Sequence, residues 1–139
     1  MVKEYISKSA QETALIAKEF ACELIAGDIV LLKGDLGAGK TVFVKAVTEK
    51  FSNGKNVAVS PTFTIVNIYD TKPCIYHFDL YRIDDSSELD AIGAEEYFYG
   101  DGICFVEWPE RVEGYFSTNV IVVEIIKLNE NERLIRIDK

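Results

Sequence analysis

Residues Gly34 to Thr41 read Gly-Asp-Leu-Gly-Ala-Gly-Lys-Thr. This is the G-x-x-x-x-G-K-[ST] spacing, in which every position has a chemical role. Gly34, Gly37 and Gly39 allow tight turns and bring backbone N–H groups close to phosphate oxygens. Lys40 is a long cation with the reach to meet β- and γ-phosphates. Thr41 offers a hydroxyl to a Mg²⁺ ion. Leu36, Ala38 and Val42 share the loop or follow it, so their backbone belongs to the same expected nucleotide contact.

A phosphate loop needs partners if it is to hydrolyse what it binds. Hydrolysis calls for carboxylates that hold the metal and orient a water. Two apolar runs end in such a group: Cys74 to Asp79 and Ile103 to Glu107. If both form strands parallel to the one before the loop, Asp79 and Glu107 converge on Lys40 and Thr41. Spacing does not say which binds the metal and which orients the water. Thr62, in Ser60-Pro61-Thr62, is a candidate sensor of the γ-phosphate or metal. His77, two residues before Asp79, shares its strand face, and a structural role is the better reading. Arg82 is a candidate charge-stabilising arginine, with a salt bridge to Asp84, Asp85 or Glu88 as the better reading. Trp108, beside Glu107, lines the site, meets a partner or packs in the core.

The elements that must position these groups are legible from patterning. Ser9 to Glu12 resembles a capping box, followed by an apolar helical face from Ala14 to Ile25 that Gly27 ends. Ile29 to Leu32 is an apolar run suited to a buried parallel strand. A helix is expected from about Gly39 to Phe51, with a turn at Ser52 to Gly54. Val57 to Val59 is expected as a short strand ending at Ser60. Phe63 to Tyr69 and Cys74 to Leu80 are expected to form a hairpin around Asp70 to Pro73. Ser86 or Ser87 is expected to cap a short helix through Ala91. A helical turn over Ala94 to Tyr99, a strand over Ile103 to Val106 and a turn over Pro109 to Val112 follow. Val120 to Ile126 and Glu132 to Ile137 are expected as a last hairpin adding antiparallel strands at one sheet edge. The expected fold is α/β: a three-layer P-loop NTPase, with a mixed, mostly parallel sheet and helices on both faces.

At 139 residues with 48% apolar content, the whole chain is expected to be one domain. No run of eighteen apolar residues suggests a membrane helix, and the first eight residues lack a signal-peptide core. Cys22, Cys74 and Cys104 fit neither a zinc pattern nor a disulfide framework. Cys22 and Cys104 read as packing residues, and the cytoplasm as the compartment. The net charge of −8, with scattered lysines and arginines, argues against tight nucleic-acid binding by this chain alone.

In order along the chain come the loop 34–41, Ser60-Pro-Thr-Phe-Thr64, His77-Phe-Asp-Leu-Tyr-Arg82, Glu88-Leu, Gly93, Glu96-Tyr-Phe98 and Val106-Glu-Trp-Pro109. Together these segments closely resemble the TsaE (YjeE) family of bacterial P-loop ATPases, from the first helix to Arg111. The resemblance implies a role in forming N6-threonylcarbamoyladenosine at position 37 of tRNAs that read codons beginning with A. It implies an ATPase that binds the TsaD–TsaB pair and resets it between turnovers, with tRNA held by the partners. Intrinsic hydrolysis is expected to be low. The resemblance carries Lys40 and Thr41 to the phosphates and Mg²⁺, and Asp79 and Glu107 to metal and water. Thr62 and Trp108 carry over as site or coupling residues, and the region of Ser9 as a neighbour of the adenine. One position departs: the family often has Thr where this chain has Val42, which implies a small change in nucleotide affinity. Two other classes fit the loop alone. A small-molecule kinase would need an arginine-rich lid, and Arg82, Arg111, Arg133 and Arg136 are isolated. A guanine-nucleotide switch would need Asn-Lys-x-Asp, which Asn53 to Asn56 does not match.

Overall fold

The structure is a computed structural model that describes residues 1–53, 59–62, 65–116 and 119–139, with backbone alone for 59–62. The strands are β1 (Val2–Ser7), β2 (Ile29–Lys33), β3 (Val59–Thr62), β4 (Val66–Tyr69), β5 (Ile75–Asp79), β6 (Ile103–Glu107), β7 (Ile121–Lys127) and β8 (Arg133–Asp138). The helices are α1 (Ala10–Ala21), α2 (Lys40–Ser52), α3 (Ser87–Ala91) and α4 (Ala94–Phe98), with a 3₁₀ turn at Pro109–Val112. All eight strands form one sheet in the order β1-β8-β7-β2-β6-β5-β4-β3.

Within it, β7, β2, β6 and β5 pair in parallel. Antiparallel strands extend both sides, so that only β4 and β8 run against the rest. The central strands carry apolar side chains on both faces, as a sheet covered on both sides requires. On one face, Val30, Leu32, Phe105, Val123 and Ile135 pack under α1 and α2 through Phe20, Phe43 and Val47. The rings of Phe20 and Phe43 lie 5.6 Å apart. On the other face, Leu31, Phe78, Cys104 and Val106 pack against Leu89, Ala94 and Phe98 of the short helices. This is the three-layer α/β architecture expected.

Several local expectations change. Met1 to Lys8 reads as mixed polarity, yet Val2–Ser7 is a strand, held by full-length antiparallel pairing with β8. It lies at the sheet's edge, where one strand face has no core to meet and apolar alternation is not required. The last hairpin is therefore not the edge: β7 pairs with β2 in parallel, and β8 lies inside β1. Helix α1 stops at Ala21 rather than near Gly27. Cys22 is exposed, not packed. Strand β3 (Val59–Thr62) does not end at Ser60 but runs on through Pro61 and Thr62, because Ser60 to Thr62 pair with Val66 to Ile68 of β4. The expected strand positions Val57 and Ala58, and Phe63 and Thr64, lie outside the described residues. Neither Ser86 nor Ser87 caps α3 through its side chain; the Asp85 carboxylate accepts from the Ser87 amide at 2.8 Å instead. Among the described residues, no helix is long and apolar enough to cross a membrane.

Candidate functional site

The loop joins the end of β2 to the start of α2, and backbone conformation explains its glycines. Gly37 and Gly39 adopt φ of +79° and +110°, a region costly for other residues. Gly34 has a steric reason: a Cβ there would stand 2.7 Å from the Ile125 carbonyl oxygen and 3.2 Å from Ala38 Cβ. Gly34→Ala should therefore destabilise the fold by about 1–3 kcal/mol, the usual scale of overpacking. A urea midpoint equal to wild type would refute that contact.

Helix α2 begins with no side-chain cap and no acidic residue in its first turn. Its N-terminal amides and partial positive charge therefore remain available to an anion. Because the helix spans Lys40–Ser52 and packs against α1 and the sheet, the loop ahead of it is anchored at both ends.

The two carboxylates arrive from neighbouring strands. β5 and β6 are parallel and Asp79 is in register with Glu107; Glu107 is also the partner of Leu32 in β2. The parallel arrangement puts the C-terminal ends of all three strands beside the loop. A cavity of about 390 Å³ there is lined by loop residues with Lys40, Thr41, Asp79, Glu107 and Trp108. Nine of the residues singled out from sequence thus share one concavity, since Leu36, Gly37, Gly39 and Val42 line it as well. A second cavity, about 320 Å³, adjoins the loop and is lined by Ser9, Thr13, Ala38, Val42, Asn131 and Arg133 among others. Ser9 itself is the N-cap of α1, accepting from the Glu12 amide at 3.0 Å. The side chain of Thr62, and hence its expected sensor role, lies outside the described residues.

The interior of the site is charged. Lys40, His77 and Glu107 keep 5%, 7% and 6% of their surface, so their interactions are weakly screened by water. Lys40 Nζ donates to the Gly34 carbonyl at 2.6 Å and lies 4.0 Å from Glu107 Oε1. It also stands 3.8 Å from the Trp108 ring centroid, a cation–π geometry. Burial pulls the Lys40 ammonium below the ordinary lysine pKa, while Glu107, Glu110, Asp79 and Asp35 push the other way. Trp108 thus lines the site rather than packing wholly in the core. Its φ of +60° is strained for a bulky residue, and the strain sits where the strand-end carboxylate meets the 3₁₀ turn.

The residue that His77 meets is not visible from spacing. His77 Nε2–H donates to Glu107 Oε2, since a carboxylate only accepts, and this leaves Oε1 on the Lys40 side. His77 Nδ1 is buried with no hydrogen-bond partner among the described residues. The His-x-Asp spacing placed both side chains on one strand face; only the register of β5 against β6 brings Glu107 there. Arg82 forms no ion pair with Asp84, Asp85 or Glu88 among the described residues. Glu88 and Asp85 instead accept from backbone amides of Asp84 and Ser87. Arg82 lines a cavity of about 440 Å³ with Asp79, Tyr81 and Glu88.

The donor chemistry fits a small hard cation and a polyphosphate. Thr41, Asp79 and Glu107 offer oxygen only, and the loop offers amides and an ammonium. Among the described residues, no three His, Cys, Asp or Glu side chains gather into a metal cage.

Fold and site together define an α/β protein of the P-loop NTPase architecture. A model of the family described as "Threonylcarbamoyl adenosine biosynthesis protein TsaE" matches residues 7–135. The chain belongs to this family. The match runs past Arg111 into the last hairpin, beyond the segments that carry the sequence resemblance. Curated relatives carry the name tRNA threonylcarbamoyladenosine biosynthesis protein TsaE. The one from Rickettsia prowazekii is 41% identical over 132 residues, covering 94% of this chain and 91% of its own. The one from Aquifex aeolicus is 41% identical over 139 residues, covering 99% and 96%. The crystal structure of YdiB from Bacillus subtilis superposes with a TM-score of 0.81 at 33% identity, over 99% of this chain and 84% of that one.

Proposed function

We propose that the protein binds Mg·ATP at the loop 34–41 and hydrolyses it slowly, as an accessory subunit in tRNA threonylcarbamoyladenosine formation. The observation that carries this reading is the in-register arrival of Asp79 and Glu107 beside Lys40 and Thr41. In this reading the amides of the loop and the ammonium of Lys40 bind the phosphates. Thr41 and one of the two carboxylates would hold Mg²⁺, which when bound neutralises phosphate charge. The other carboxylate orients the attacking water. Glu107 suits that role, because His77 holds one of its oxygens and leaves the second directed toward Lys40. The cavity beside Ser9 has the place and size for the nucleoside, and Trp108 covers the Lys40 side.

The names of the relatives supply the pathway, and the family resemblance supplies the partners: TsaD and TsaB, with ATP hydrolysis resetting their complex. An acidic surface fits a subunit that meets tRNA only through those partners in the cytoplasm. The test is phosphate release by the purified chain, alone and with TsaD and TsaB. The expected result is slow turnover alone and a clear rise in the complex. Equal, vigorous turnover in both would contradict the coupling. Calorimetry should show ATP bound in preference to GTP, since no guanine-reading motif is present.

A further inference from the structure

Arg133 is the first residue of β8, 95 positions from Ala38 of the loop in sequence. It occupies the same strand face as Ile135 and Ile137, the face covered by α1 and α2. Its guanidinium reaches the phosphate loop from behind. Nε donates to the Ala38 carbonyl at 2.9 Å and Nη2 to the Gly37 carbonyl at 3.4 Å. Nη1 meanwhile donates to the carbonyls of Asn129, Glu132 and Glu130 at 2.8, 3.0 and 3.3 Å. One fork thus ties the β7–β8 turn to the loop.

A trans peptide is planar, with its C=O and N–H on opposite sides. Holding the Ala38 carbonyl toward Arg133 therefore turns the Gly39 N–H the other way, toward the side on which α2 presents its free amides. Gly37 and Gly39, at positive φ, have unusual freedom to flip such a plane. The Ala38 N–H is already taken by the Asp35 carbonyl at 3.1 Å, so the Ala38–Gly39 peptide is the one whose orientation Arg133 decides. Charge-assisted bonds are roughly twice as strong as neutral ones, and a cation at the carbonyl end also polarises the amide at the other.

We propose that Arg133 is a positioning residue for phosphate binding: it sets the Ala38–Gly39 peptide so that the Gly39 amide faces the polyphosphate. The proposal rests on the nucleotide-binding reading above and adds to it a residue outside the loop. Arg133 also lines the cavity beside Ser9, so direct contact with a base or sugar is the competing role.

The two roles separate if Mg·ATP is compared with Mg·tripolyphosphate, which has neither base nor sugar. Binding to wild type, R133M and R133K is measured by calorimetry, with circular dichroism to confirm folding. R133M should weaken both ligands by a similar factor, about tenfold, as for loss of a hydrogen bond to a charged donor. R133K, which keeps the charge and one donor, should recover part of the loss. In the ligand-free protein, the Gly39 amide resonance should move in R133M while those of β5 stay. A loss confined to ATP would overturn the proposal in favour of direct base or sugar contact. Equal affinity of R133M and wild type for both ligands, or an unmoved Gly39 amide, would overturn it and leave the nucleotide reading intact. Wild type that binds neither ligand would sink the nucleotide reading, and the positioning role with it.

Discussion

Replacing Glu107 with glutamine is expected to cut hydrolysis by about 10²–10³-fold in the TsaD–TsaB complex while nucleotide affinity changes by less than about fivefold. The asymmetry follows from position. Glu107 is the strand-end carboxylate whose Oε2 is held by His77, leaving Oε1 4.0 Å from Lys40 Nζ. A group so oriented acts on a water or a metal rather than on the phosphate chain, which would repel it. Glutamine keeps an oxygen for His77 but loses the charge and turns an NH₂ donor, in place of an acceptor, toward Lys40. Glu107→Ala goes further. It strips Nε2 of a histidine whose Nδ1 already has no hydrogen-bond partner among the described residues, and it deprives buried Lys40 of its nearest carboxylate. The alanine variant should therefore lose about 1–3 kcal/mol of stability that the glutamine variant retains. Phosphate release, calorimetry and denaturant melts measure the three quantities. Normal turnover by Glu107→Gln in the complete complex would refute the catalytic assignment.

Lys40→Ala should weaken Mg·ATP binding by at least about tenfold and reduce hydrolysis by about 10²–10³-fold, the scale of removing a preorganised charge from a weakly screened site. Fold stability should respond much less. Removing a desolvated ammonium relieves its burial cost but leaves Glu107 without that cation, and the two effects oppose each other. The combination of lost binding with a nearly unchanged melting temperature distinguishes a ligand contact from a structural lysine. Affinity within about twofold of wild type would exclude Lys40 from the phosphate site. Trp108, 3.8 Å from Nζ, gives a direct readout: its fluorescence should change on Mg·ATP addition in wild type and not in Lys40→Ala.

Much of this was legible along the chain because it depends on local rules. An apolar run of four, a glycine loop and a helical pattern define a strand–loop–helix without any distant contact. Ser9 capping α1, the β4–β5 hairpin and the β7–β8 hairpin are likewise decided by residues a few positions apart. Some of the expectations that changed turned on residues a few positions away, as at the end of α1 and the start of α3, and others on the place of a strand in the sheet. β1 is a strand because β8, more than a hundred residues later, pairs with it. Pro61 sits inside β3 because the strand lies at the sheet's other edge, where a missing N–H is tolerated. Cys22 lies in an apolar stretch, yet α1 ends before it and turns it outward.

The sequence by itself determined the glycine loop between a strand and a helix, the carboxylates at two strand ends and the three-layer class, since spacing and period suffice for each. Tertiary structure decided which distant groups meet. The register of β5 against β6 set Asp79 opposite Glu107, put His77 on its far oxygen and left Lys40 on the near one. The place of β8 in the sheet brought Arg133 behind the loop. Register and strand order are settled by packing of the two sheet faces over the whole chain, and no stretch of residues encodes them alone.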